Sequence, residues 1–193
     1  GIAPKGGTSS ADPREAWRLF AQNYYLFRGT PSQIWLDWVF AEAFNIDVRL
    51  SGETSDHYFD TINAKLATDA FRPRALFDRY GIEVIATTEN PLDGLEHHKA
   101  IRDSSWSGRV ITAYRPDPVV DPEFEGFLDN LKRFSAITGE DCLTWKGYLA
   151  AHRQRRAFFA EMGATSTDHG HPTPATADLS PAEAEALFAR VTA

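Results

Sequence analysis

From about residue 70 onward, short β-prone runs alternate with helical segments, and this alternation constrains the fold more than any other feature of the 193-residue chain. Ile82-Glu83-Val84-Ile85-Ala86 reads as a strand ending in Thr87-Thr88-Glu89-Asn90-Pro91. Arg109 to Tyr114 reads as a second, ending in Arg115-Pro116-Asp117, and Ala164 to Thr167 as a brief third, followed by Asp168-His169-Gly170-His171. Helical patterns over 73–80, 93–103 and Thr144 to Met162, one opened by Asp121-Pro122-Glu123, and one begun by Ser180-Pro181-Ala182-Glu183 lie around them. The order β, α, β, α, α, β, α predicts parallel strands joined by right-handed helical crossovers.

The first third contains no such run. Asp12-Pro13-Arg14-Glu15 is a helix start, with Asp12 as cap, Pro13 in the first turn and Glu15 placed to close a capping box. Ala16, Trp17, Phe20, Tyr24 and Phe27 then recur at helical spacing before Gly29. Thr30-Pro31-Ser32-Gln33 repeats the start signal, with Ile34, Trp35, Trp38 and Val39 as its apolar stripe. A third helix is predicted over 55–67, with Tyr58, Phe59, Ile62 and Leu66 inward. The expected organisation is a disordered segment over 1–11, a helical region over 12–70 and an α/β region over 71–193.

Composition narrows the function classes. Lys and Arg number 20 against 27 Asp and Glu, a net charge of −7 that argues against nucleic acid or an anionic membrane as partner. No apolar run approaches the roughly 20 residues of a membrane span. The lone Cys142 excludes an intrachain disulfide framework and fits a reducing, cytoplasmic setting.

Parallel strands gather their C-terminal loops on one rim, where α/β folds carry their chemistry. Thr87, Thr88 and Glu89 reach that rim, as do Arg115 with Asp117, and Asp168 with His169 and His171. An arginine, carboxylates and imidazoles suit an anionic, hydroxyl-rich small molecule. Arg115 offers a rigid fork for a carboxylate, or else an ion pair with Asp117 or a neighbouring loop carboxylate. His169 and His171 are spaced to reach one metal, but no third ligand motif accompanies them. His57 and His152 read as surface or helix-face residues, Arg153-Gln154-Arg155-Arg156 as a solvated basic face, and Trp17, Trp35 and Trp38 as core or interface. In Glu96-His97-His98, one imidazole is expected near the core and the other in solvent.

Several segments, in order, resemble one family. Phe27-Arg28-Gly29-Thr30-Pro31, Ala86-Thr87-Thr88-Glu89-Asn90-Pro91-Leu92-Asp93, Leu95-Glu96-His97-His98, Tyr114-Arg115-Pro116-Asp117 and Thr167-Asp168-His169 resemble the uronate (glucuronate) isomerases of the amidohydrolase superfamily. That resemblance implies a partial (β/α)₈ TIM-type barrel of about three parallel strands, preceded by an all-helical segment. The implied reaction is aldose–ketose isomerisation of a uronic acid, glucuronate to fructuronate or galacturonate to tagaturonate. It further implies Arg115 and Asp168 as catalytic residues, with Arg115, Thr88 and His169 binding substrate; uncovered strand edges and aromatic helix faces predict a homo-oligomer. A divalent metal, zinc, is implied for the complete enzyme, with its ligands outside this chain. The chain resembles an internal piece of such an enzyme and is expected to be inert alone. Two other readings stay open: a non-catalytic partner-binding module, and a metal-dependent hydrolase of the same superfamily.

Overall fold

The computed structural model describes residues 12–171, 173 and 175–193, so segment 1–11 lies outside the described residues. The described chain divides into two compact units between Gly81 and Ile82. No described helix is long and apolar enough to cross a membrane.

The first unit is helical because its start signals work locally. Asp12 accepts from the Arg14 amide with Pro13 in the first turn, which opens α1, Pro13–Gln22. The chain tightens into a 3₁₀ turn over Tyr24–Phe27. Thr30 then caps α2, Pro31–Trp38, which runs on into a π turn over Val39–Ala43. Next come α3, Ser55–Leu66, and α4, Pro73–Arg79. Although the composition changes near residue 70, α4 belongs to this unit: Arg79 donates to the Glu42 carbonyl at 3.0 Å, and the Tyr80 ring lies 6.4 Å from that of Trp38.

Aromatic rings fill the core of this unit. Phe40 meets Tyr58 edge-on at 5.1 Å and Trp17 edge-on at 6.1 Å, an arrangement that ring quadrupoles favour. The Trp17 indole N–H donates to the Ser55 carbonyl at 2.8 Å and so ties α1 to α3. The apolar stripe of α2, whose Trp35 and Trp38 read as core or interface, stays out of the core of this unit. Trp35 is 68% exposed, and Ile34 and Trp38 are also exposed, whereas Leu36 packs on the core. The π turn inserts an extra residue per turn, and Phe40 and Ala43 take the buried positions instead. Leu66, expected inward, is exposed at the end of α3.

The second unit holds two strands in parallel register. They are β1, Val84–Glu89, and β2, Arg109–Tyr114, pairing Val84 with Arg109 through Glu89 with Tyr114. Between them lies α5, Glu96–Arg102. A one-turn α6, Asp117–Val120, is followed by α7, Phe127–Thr138, by α8, Trp145–Glu161, and by α9, Pro181–Val191. Thr87, Thr88 and Glu89, read as loop, are the last three residues of β1. The helix expected to open at Asp121 begins at Phe127. Asp121-Pro122-Glu123 forms a turn instead, with the Glu123 amide on the Asp121 carboxylate, and Gly126, at φ 77°, makes the left-handed turn into α7.

The third strand is also corrected. Among the described residues the sheet has two strands, and segment 164–167 adds a single parallel bridge from Thr167 to Tyr114. Its first residue cannot extend the ladder, because the Ala164 N–H is used on the Phe159 carbonyl at the end of α8. A bare two-stranded sheet is marginal in water, so packing of helices on the strands carries its stability. Buried Tyr114 packs edge-on against Phe159 of α8 at 5.0 Å.

The core between α7, α8 and α9 combines Val119, Leu131, Phe134, Cys142, Ala151 and Phe188. Burial pushes the Cys142 thiol up from its ordinary value, which suits a packing residue and opposes a nucleophile. Gly147 sits where a side chain has no room: an added Cβ would overlap the Asp141 backbone carbonyl, itself an acceptor for Thr144. Gly147→Ala is expected to cost about 1–3 kcal/mol by forcing the start of α8 off that turn, read as a lower urea midpoint with unchanged m-value.

Candidate functional site

Pleat parity decides which groups meet at the strand ends. Thr87, Glu89, Thr112 and Tyr114 project from one face of the sheet, whereas Thr88, Ala113 and Arg115 project from the other. On the first face, His98 of α5 hydrogen-bonds Thr87 through Nε2 at 2.8 Å and lies 3.6 Å from the Glu89 carboxylate, which accepts from the Thr112 hydroxyl. A cavity of about 270 Å³ opens beside this cluster, lined by Glu89, Asp93, Leu95, Glu96, His97 and His98. His98 is half-buried and His97 exposed.

On the second face, three segments converge. Arg115 Nε donates to Asp117 Oδ2 at 2.7 Å, and its Nη1 donates to Asp168 Oδ2 at 3.4 Å. The Thr88 hydroxyl reaches the same Asp168 oxygen at 3.4 Å. Asp117 also accepts from the Gly170 amide at 3.0 Å. Burial works against the Asp117 charge, but the Arg115 and Gly170 hydrogen bonds, with Arg115 and His169 charge, hold its carboxyl below the usual range. Hydrogen bonding to Asp117, with the charge of Asp168, raises the Arg115 guanidinium further. A cleft of about 500 Å³ adjoins the group, lined by Asp117, Val120, Asp121, Glu123, Gly170 and His171 among others.

The structure thus brings Thr88, Arg115 and Asp168 together, with Asp117 as a second carboxylate on the same arginine. His169 lies beside them but stacks on His171, with ring centroids 4.9 Å apart and planes 12° apart. Imidazole lone pairs lie in the ring plane, so stacked parallel rings do not aim at one ion. Among the described residues no group of three or more His, Cys, Asp or Glu side chains can hold a metal, so these residues do not fit the metal the resemblance implies.

Two polar groups on α8 correct the sequence reading. Arg155, placed on a solvated basic face, is buried and donates to the carbonyls of Pro91 at 2.8 Å and Asp93 at 2.7 Å, securing the loop after β1. Its signal was spacing: Tyr148, Ala151, Arg155 and Phe159 recur at three and four residues and form the buried stripe of α8. His152, read as surface or helix-face, sits among Tyr114, Tyr148 and Phe134. Its Nδ1 pairs with the Tyr114 hydroxyl at 2.8 Å.

Burial, with a smaller push from Arg156, lowers the His152 imidazole to about 4 from an ordinary 6.5. The unfolded chain therefore binds the extra proton first as pH falls. This contribution to stability is complete above about pH 6.5 and is lost toward pH 4, on the order of 3 kcal/mol in all. Urea unfolding between pH 7 and 4.5 should show a shallower pH slope for His152→Leu than for the unaltered protein; equal slopes would refute the assignment.

In the first unit, a cleft of about 460 Å³ is lined by Arg28, Gln33, Asp37, Asp47, Arg49 and Tyr58, among others. There the Tyr24 hydroxyl donates to Asp37 at 2.9 Å, and burial, with that carboxylate, raises the Tyr24 phenol well above its ordinary value.

Comparison with known proteins places this arrangement. A family model described as glucuronate isomerase matches residues 1–193. The chain belongs to the glucuronate isomerase family. It is 72% identical over 190 residues to a uronate isomerase from Sphingopyxis alaskensis, covering 96% of this chain and 40% of that protein. It is 66% identical over 183 residues to one from Xanthomonas campestris, covering 95% and 39%. The crystal structure of glucuronate isomerase from Caulobacter crescentus is similar at 58% identity and a TM-score of 0.91, over 97% of this chain and 39% of that one. That of uronate isomerase from Thermotoga maritima has a TM-score of 0.87 at 26% identity, over 95% of this chain and 40% of that one. The chain spans about 40% of the length of the relatives it matches.

Proposed function

We propose that the protein isomerises uronic acids between aldose and ketose forms, glucuronate to fructuronate and galacturonate to tagaturonate, and that Arg115 and Asp168 contact the sugar acid. The observation that carries this reading is the Arg115 guanidinium held at a parallel-strand end by Asp117 and Asp168, with Thr88 alongside. Similarity to uronate isomerases over nearly the whole chain supports it. So does the parallel β1–β2 pair, which we read as part of a (β/α)₈ barrel entered through a helical insertion over 12–70.

Each residue's role follows from its unused atoms. Nε and Nη1 of Arg115 serve the two aspartates, so Nη2 can donate to a substrate carboxylate or to the oxygen that gains charge as C2 loses its proton. The contacts that Arg115 and Thr88 make with Asp168 fall on Oδ2, which leaves Oδ1 to accept a substrate hydroxyl or carry a proton between oxygens. Thr88 and His169 line the same rim and would contact hydroxyls.

The test is direct. The gene-encoded polypeptide carrying residues 1–193, incubated with D-glucuronate in D₂O with zinc present, should form the ketose and exchange the C2 proton, followed by proton NMR. Absence of both, with D-galacturonate also inert, would refute the reading.

A further inference from the structure

Tyr114 is the joint on which the candidate site turns. Its N–H donates to the Ser166 carbonyl at 3.2 Å, and its carbonyl accepts from the Asp168 amide at 3.0 Å, so one residue of β2 makes both backbone bonds to segment 166–168. The next residue is Arg115, whose own N–H is fixed to the Glu89 carbonyl at 2.9 Å. Arg115 and Asp168, which must meet for the rim to exist, are thus placed through Tyr114. The Tyr114 ring leaves the sheet on the opposite face and is buried against Phe159, with its hydroxyl on His152 of α8.

Of the imidazole's two nitrogens, Nδ1 holds Tyr114, while Nε2 is buried without a hydrogen-bond partner among the described residues. A packing role alone would be met by an apolar side chain without leaving a polar atom unsatisfied. Burial also keeps the ring neutral, so that through the physiological range Nδ1 stays available to the phenol.

We infer that His152 is a positioning residue for the candidate site, setting the seat of Tyr114 on α8 and through it the approach of Asp168 to Arg115. The inference deepens the proposed uronate isomerase reading and rests on it for its catalytic consequence. His152 touches no substrate; it acts through a phenol and two backbone hydrogen bonds.

Two measurements on the gene-encoded polypeptide test it. The first needs no substrate: exchange of the Asp168 amide, relative to core amides of α8, should speed up about tenfold in Tyr114→Phe and in His152→Leu. His152→Asn, which keeps a polar atom near the place of Nδ1, should recover most of the protection. The second is kcat/KM for D-glucuronate, expected to fall about tenfold in each single variant and no further in the double variant, because both remove the same bond. Unchanged Asp168 exchange in Tyr114→Phe, additive losses in the double variant, or His152→Asn no better than His152→Leu would each overturn the inference. If the unaltered protein turns over no uronate while the exchange pattern holds, the proposed activity fails and the positioning of segment 166–168 by His152 stands. If it turns over uronate but the exchange pattern does not respond, the positioning inference alone fails.

Discussion

Arg115→Ala is expected to lower kcat/KM for D-glucuronate by about 10²–10³-fold, the range seen when one donor aimed at developing charge is removed. The argument is geometric: Arg115 is the cation that both Asp117 and Asp168 face, so its removal takes away the substrate's donor and leaves two carboxylates to repel an anionic sugar acid. Arg115→Lys should recover only part of the loss, because a point charge cannot satisfy both carboxylates and still present a fork. Stability should fall by about 1–2 kcal/mol, because the mostly buried Asp117 loses the guanidinium that offsets its burial, whereas the exposed pair with Asp168 contributes little. Steady-state kinetics with urea unfolding on the same samples separates the two effects. A kcat/KM within about threefold of the unaltered protein would remove Arg115 from the site.

Phe159→Ala is expected to destabilise the protein by about 3–5 kcal/mol, the usual cost of emptying a fully buried phenylalanine site. Phe159 has no exposed surface and packs on Tyr114 and Leu95, beside Phe158 and the Arg155 guanidinium. Its loss leaves a void under the strand end and beside the arginine that holds the loop after β1. By contrast, Trp35→Ala should change stability by about 0.5 kcal/mol or less, because Trp35 is exposed. Equilibrium urea titrations of the two variants decide the point; equal costs would contradict the placement of both side chains.

What the sequence made legible was local. Asp12, Thr30 and Ser180 each cap the helix that their spacing announced, because capping joins groups two or three residues apart. β2 begins and ends where its residues indicated, and the polar strand ends pointed to Thr88, Arg115 and Asp168 as neighbours. The failures share a cause. The α2 stripe has helical spacing, but spacing does not say which side meets a partner, and the π turn moved the buried positions on to Phe40 and Ala43. Segment 164–167 has the composition of a strand, yet the closure of α8 takes the Ala164 amide. Arg155 and His152 look like solvated helix residues until the helix is rotated onto the sheet.

The sequence alone determined the caps at Asp12, Thr30 and Ser180, the helices that they open, the span of β2 and the polar chemistry at the strand ends, since each depends on residues a few positions apart. Only the tertiary structure decided that one guanidinium would take two carboxylates, one of them 53 residues away. It alone placed a histidine 38 residues from Tyr114 against its hydroxyl, and Arg155 under a loop 64 residues away. Such partnerships depend on strand register, crossover path and helix rotation, and these are fixed by how the elements bury one another's faces, which no local pattern records.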